Sequence, residues 1–396
     1  MHVYINEGVM FFREHSAFFY GKVEIYMEAK GIRKEAYVCD KYVAGKSTDE
    51  VMADYGLKSV VKLGSNENMY APYPEALKAM QSELNRVNIY PEKNYVKLKE
   101  LIAEDYGVTS DWVSLGHGAG NVLDEVAKTL LEDGDEIITG QQSYLLYQQI
   151  SKIMGGKVIT VPLNEQYTIE TDKIIAEFNE HTKIVWLCNP NNPTGSIIDK
   201  TTFEKLVNAL PERAWLVVDE AYADFADQEA LPNVIDYIKA GKQVILIRTF
   251  SKYQGLAGAR IGCLVANPEF VNWYDTVSEP FNANRMGLAA AVALMEPKGK
   301  AECKKYGDLI VKDRAWLNEE LTKLGCVCSP SQANFVFFST PYLASDVAEL
   351  LLQKGVIVRP CGGWGYDKHI RVSVGTHEQN EIFLEKLKEA LEELAK

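Results

Sequence analysis

The sequence predicts an α/β protein. A mostly parallel, seven-stranded sheet is covered by helices on both faces, and a smaller α+β domain follows. Three observations carry this. Short apolar runs alternate with amphipathic helical segments from residue 112 to 267. Runs such as Val244-Ile245-Leu246-Ile247 are apolar without alternation, as in strands buried on both faces. After about residue 290 the order changes to one long helix and then strands. At 396 residues, 47% hydrophobic and 24% charged, the chain has ordinary globular composition and can fill two cores.

Along the chain, residues 1–28 form an extension with no assigned role. Arg13, Glu14 and His15 interrupt its apolar stretches, so no signal-peptide core is expected. Met27 leaves room for an upstream start or a docking arm. Residues 29–60 read as short helices joined by loops. Val60-Val61-Lys62-Leu63-Gly64 reads as a short strand, followed by a polar loop with Pro72 and Pro74. An amphipathic helix then passes through Ala76, Leu77, Ala79 and Met80, and another is expected at 96–106. The strands of the large sheet are expected at 112–116, 135–140, 157–163, 183–188, 214–219, 244–250 and 261–267. Helices separate most of them, as with Val122, Val126 and Leu130 at i, i+4 and i+8. Only about ten residues lie between the last two strands, too few for a parallel crossover, so 261–267 is expected to run antiparallel. A helix follows at roughly 300–324, then strands at 334–338, 356–360 and 369–374, with a helix at 343–354. The last helix opens on the capping-box pattern Thr376-x-x-Gln379 and carries Leu384, Leu387, Leu391 and Leu394 on one face.

Bulk properties exclude several classes. A net charge of −13 argues against nucleic-acid and anionic-membrane partners. No stretch reaches the ~18 apolar residues of a membrane span. Seven scattered cysteines fit a reducing cytoplasm and no disulfide framework. Cys326-Val327-Cys328 lacks a second Cys or His pair, and no metal is expected.

Four motifs sit at strand ends. Ser114-Leu115-Gly116-His117-Gly118-Ala119-Gly120-Asn121 joins a strand to a helix N-terminus, a phosphate site or simply a tight turn. It lacks GxGxxG, which argues against a dinucleotide. Asn189-Pro190-Asn191-Asn192-Pro193-Thr194-Gly195 is a rigid turn able to hold one amide. Val217-Val218-Asp219-Glu220-Ala221-Tyr222 ends a buried strand on an acid, which needs a cation or strong hydrogen bond. A structural salt bridge and a protonated pyridine nitrogen both supply one. Arg248-Thr249-Phe250-Ser251-Lys252, with Arg260 eight positions on, reads as a surface lysine or as an amine that forms a Schiff base beside a phosphate. All four lie on the sheet edge where open α/β sheets bind ligands. Pyridoxal phosphate (PLP) needs this set: a lysine, an acid for its pyridinium and a phosphate site.

On these residues the chain resembles the fold-type I PLP-dependent aminotransferases, and among them the histidinol-phosphate aminotransferases. Ser65-Asn66-Glu67-Asn68, Tyr90-Pro91, Gly355-Val356-Ile357-Val358-Arg359-Pro360 and Arg371-Val372-Ser373-Val374-Gly375-Thr376 add to the likeness, which runs from about residue 30 to the end. The resemblance implies a catalytic set of Lys252, Asp219 and Tyr222. Lys252 would hold PLP and shuttle a proton, and Asp219 would keep the pyridine nitrogen protonated. Tyr222 and Asn192 would bind the ring's 3′-oxygen, and Tyr144 would stack on the ring. Ala119, Gly120, Thr249, Ser251 and Arg260 would bind the cofactor phosphate. Tyr90 would reach that phosphate from the neighbouring subunit, which implies a homodimer with shared sites. Arg371 would clamp the substrate carboxylate, with Arg359 and Tyr70 near the substrate's phosphate and Asn192 also at the substrate.

The implied activity transfers an amino group between histidinol phosphate and 2-oxoglutarate, giving imidazole-acetol phosphate and glutamate. Met69, Ala71 and Ser278 stand where the family usually has Pro, Gly and often Arg. They lie toward the substrate, which keeps open an aromatic-amino-acid aminotransferase or a phosphothreonine-type decarboxylase on the same fold. The expected domains are an arm at 29–75 packing with the small domain, a large PLP-binding domain at 76–288 and a small domain at 289–396.

Overall fold

The computed structural model describes residues 31–39, 45–92 and 94–396, and the backbone of a two-stranded hairpin formed by His2–Asn6 and Val9–Arg13. Most of the 1–28 extension therefore lies outside the described residues. The large sheet contains β1 (Val113–Gly116), β2 (Glu136–Gly140), β3 (Lys157–Val161), β4 (Thr182–Cys188), β5 (Trp215–Asp219), β6 (Val244–Thr249) and β7 (Gly262–Val265). Their spatial order is β1-β7-β6-β5-β4-β2-β3. β7 pairs antiparallel with both neighbours, as its short connection to β6 requires, and the other pairings are parallel.

Alternation of side chains puts the two halves of each apolar strand into different cores. Val185, Leu187, Leu216, Val218 and Leu246 face one core; Ile184, Trp186, Val217, Ile245 and Ile247 face the other. The second core is closed by α2 (Ala119–Leu130) and α3 (Leu146–Ile153), and the first by helices that include α1 (Pro74–Glu83) and α4 (Arg285–Met295). β1, β2, β4, β5 and β6 run the same way, so their C-terminal ends share one edge.

The small domain packs the long α5 (Pro297–Lys323), α6 (Ala344–Gln353) and α7 (His377–Leu394) on an antiparallel sheet. Its strands are β8 (Val327–Cys328), β9 (Phe335–Ser339), β11 (Arg359–Pro360) and β12 (His369–Ser373), in the order β8-β9-β12-β11. The single strand expected at 356–360 is two. β10 (Val356–Ile357) pairs in parallel with Val61–Lys62 of the N-terminal arm, and the chain breaks at Val358 before β11 turns to β12. The capping box on α7 is formed on both sides, Thr376 and Gln379.

The expected boundary at 288/289 falls inside α4. Ala290, Ala291 and Leu294 of that helix are buried in the large core. The transition runs instead along α5, where Cys303 packs in the large core and Ile310, Leu317 and Leu321 pack in the small one. Among the described residues no helix is long and apolar enough to cross a membrane.

Candidate active site

At the shared strand edge, facing the small domain, lies a cavity of about 1410 Å³. Twelve of the residues singled out in the sequence line it: Ala119, Gly120, Tyr144, Asn192, Asp219, Tyr222, Thr249, Ser251, Lys252, Arg260, Arg359 and Arg371.

Lys252 stands three positions beyond β6. Its Nζ donates to the Ser65 carbonyl at 3.1 Å and lies 5.9 Å from the Tyr222 ring centroid. Burial, the Arg371 charge and, more weakly, Arg260 push the amine down to about 8, against the opposing pull of Glu67 and Asp219. Asp219, the last residue of β5, is buried. Its Oδ2 accepts from the Tyr147 hydroxyl at 2.6 Å and its Oδ1 from the Ala221 amide at 3.1 Å. Burial pushes its carboxyl up, and Tyr147, Ala221, Arg248 and Lys252 oppose that. The Tyr222 hydroxyl accepts from Asn66 Nδ2 at 3.1 Å. Tyr144 meets Tyr147 edge to face, at 5.5 Å between ring centroids.

The turn after β4 is held from within. Asn191 donates to Gln142 O at 2.9 Å and Thr194 Oγ1 at 3.0 Å, and accepts from Ser143 Oγ at 2.8 Å. This ties Asn192 to the segment carrying Tyr144. Arg371 Nη1 donates to Asn192 Oδ1 at 2.6 Å, and Nη2 to Gly64 O at 2.8 Å. Arg371 and Arg359 are direct partners across β12 and β11, and both lie over the Trp364 ring, at 6.0 and 5.8 Å. Trp364 is fixed by its own donation to Ser143 O at 2.7 Å. Like charges placed opposite each other in a sheet repel. This wall of the cavity is therefore built to receive anionic groups.

The opposite end is a second anion cradle. The first amides of α2 have no carbonyl partner within the helix. Gly118 precedes them at φ +92°, and a Cβ there would come 2.3 Å from Arg260 Nη2. Arg260, itself left-handed at φ +56°, donates to Ala257 O at 3.1 Å and lies 3.5 Å from Ser251 Oγ. Thr249 Oγ1 accepts from the Ser251 amide at 3.1 Å.

Two expected residues lie outside the cavity. Tyr90 is exposed and stacks on Phe281 at 4.7 Å. Tyr70 packs at the edge of the small domain. Asn68 caps its amide at 3.1 Å, and its ring stacks on Tyr306 of α5 at 5.1 Å. The residues not foreseen are Tyr147, whose only signal was its place on the buried face of α3, and Trp364, set in a glycine-rich turn.

The family model described as aminotransferase class I and II matches residues 58–387. The histidinol-phosphate aminotransferase of Moorella thermoacetica is 38% identical over 351 residues, 88% of this chain and 90% of that protein. That of Symbiobacterium thermophilum is 36% identical, covering 89% and 96%. Among solved structures, histidinol-phosphate aminotransferase from Sinorhizobium meliloti in complex with pyridoxal-5′-phosphate superposes with a TM-score of 0.82, at 25% identity over 92% of this chain and 99% of that one. Thermus thermophilus aspartate aminotransferase, at 22% identity and a TM-score of 0.78 over 91% and 100%, shares the fold. With this cavity at the strand edge and this match along its length, the chain belongs to the class I and II aminotransferases.

Proposed function

We propose that this protein is a PLP-dependent histidinol-phosphate aminotransferase, moving the amino group from histidinol phosphate to 2-oxoglutarate. The residues present fit the cofactor. The Gly118–Arg260 contact leaves a cradle that a Cβ would fill. Asp219 is a buried carboxylate without an ion-pair partner among the described residues, as expected of a group awaiting a cationic ring nitrogen. Lys252 would hold PLP through its amine. Ala119, Gly120, Ser251, Thr249 and Arg260 would hold its phosphate, and Tyr144, Asn192 and Tyr222 its ring. Bound there, PLP supplies an electron sink for charge that develops at the substrate Cα.

The protein's own part follows from the geometry. Burial pushes the Lys252 amine down to about 8, so part of it is neutral at neutral pH and Nζ can take up the proton from the substrate Cα. Asn192 uses its Oδ1 to hold Arg371, which leaves its Nδ2 to donate into the cavity. The observation that carries the substrate reading is the Arg359–Arg371 pair. Histidinol phosphate has no carboxylate, so the pair meets its phosphate; glutamate offers the same two arginines two carboxylates. One pair of cations thus serves both halves of the exchange.

The test is a single half-reaction with the PLP-loaded protein. Loss of the visible cofactor band is followed with histidinol phosphate, histidinol and phenylalanine. Fastest loss with histidinol phosphate is expected. Faster loss with phenylalanine would overturn the substrate reading in favour of an aromatic aminotransferase. We assign the protein to the cytoplasm, supported by Cys188, Cys263, Cys303, Cys326 and Cys361, which are buried as free thiols. We also assign it a homodimer, supported by exposed Leu84, Val87, Ile89 and Tyr90 on one segment.

A further inference from the structure

We propose that Tyr147 is a positioning residue: its hydroxyl holds Asp219 ionised and aimed into the cavity, and so keeps a proton on the cofactor's ring nitrogen. This rests on the reading that the cavity binds PLP. Tyr147 is fully buried, and its ring stacks on Trp186 at 5.4 Å with only 3° between planes. Trp186 Nε1 donates to Ser151 Oγ at 3.1 Å, and Ser151 Oγ donates to the Tyr147 carbonyl at 2.7 Å. The phenol is thus locked at both ring and backbone. Its proton points at Asp219 Oδ2, while the Ala221 amide takes Oδ1, so the plane of the carboxylate is set.

The chemistry follows from the sharing of one proton. A buried carboxylate opposite a pyridine can hold the proton itself, or leave it on nitrogen and stay charged. Burial favours the first arrangement; a donor to the carboxylate favours the second. The titratable groups around Asp219 are Tyr147, Cys188, Glu220, Tyr222, Arg248 and Lys252. Of these, Tyr147 donates its side-chain hydrogen bond to the carboxylate. Burial keeps the Tyr147 phenol protonated, so toward Asp219 it can only donate.

The experiment loads wild type, Tyr147→Phe and Tyr147→His with PLP labelled with 15N in its ring, and reads the nitrogen resonance at one fixed pH. Phenylalanine keeps the stack on Trp186 and removes only the donor. In wild type the resonance is expected at the protonated position. In Tyr147→Phe it moves toward the unprotonated position, and the apoprotein binds PLP about tenfold more weakly, the weight of a hydrogen bond to a charged group. Tyr147→His, which restores a donor, moves the resonance back. Thermal unfolding of the apoproteins checks that each variant is folded; if phenylalanine is not tolerated, Tyr147→Met removes the same donor. A resonance unchanged in the donor-less variant overturns the inference alone. A wild-type protein that takes up no PLP overturns the cofactor reading, and this inference with it.

Discussion

An amine that is half neutral near pH 8 has a direct kinetic consequence. Only the neutral form of Lys252 can attack a carbonyl, so its fraction limits capture of PLP by the apoprotein. The capture rate should rise with pH up to about 8 and level off above it, as stopped-flow absorbance from below to above that point will show. An unshifted lysine would instead keep rising toward pH 10.4 or so. Lys252→Ala should abolish turnover yet leave a folded protein that still binds PLP through the phosphate cradle; retained turnover would contradict the role of Lys252. Arg359→Ala should slow the histidinol phosphate half-reaction by about tenfold or more, the weight of a charge-assisted pair, and phenylalanine far less. Equal losses on both would remove Arg359 from phosphate recognition.

Among elements, the N-terminus of α2 is the most exacting. Gly118→Ala places a methyl group in a left-handed backbone position and against the Arg260 guanidinium. The expected result is PLP affinity reduced by about tenfold or more in an equilibrium titration, with the fold intact. Elements also show where sequence reading succeeds. Strands β1–β7 fall within a few residues of their expected ends because full burial on both faces leaves apolar runs that few other structures produce. The site residues at their C-terminal ends were legible for the same reason. α4 was not: Met286-Gly287-Leu288-Ala289-Ala290-Ala291-Val292-Ala293-Leu294 is apolar on every side, so it has no period to mark a helix or the core it joins. Tyr147 and Trp364 escaped because each acts by touching a residue far away in sequence, Asp219 and Ser143. Tyr70 packs on Tyr306, 236 residues further along, a contact that no local pattern marks.

At the scale of the whole molecule, the chain of 44.4 kDa exposes Leu84, Val87, Ile89, Tyr90 and Phe281 around one loop. Sedimentation should give twice the chain mass, and Val87→Glu should shift the protein toward monomer. The proposal that Tyr90 serves the neighbouring subunit's site admits a sharper check. Lys252→Ala chains, inactive alone, and Tyr90→Ala chains, weak alone, should regain activity when mixed and refolded together, because every mixed dimer would hold one site with both residues intact. No recovery would place Tyr90 outside the partner's site.

The two facing arginines have a practical meaning at the bench. Inorganic phosphate and sulfate carry the charge that Arg359 and Arg371 are spaced to receive. If the pair is the substrate's seat, as proposed, a buffer made from either competes for it. Rates measured in phosphate buffer will understate this enzyme, and they will do so most at low substrate, where a buffer ion wins the seat most often.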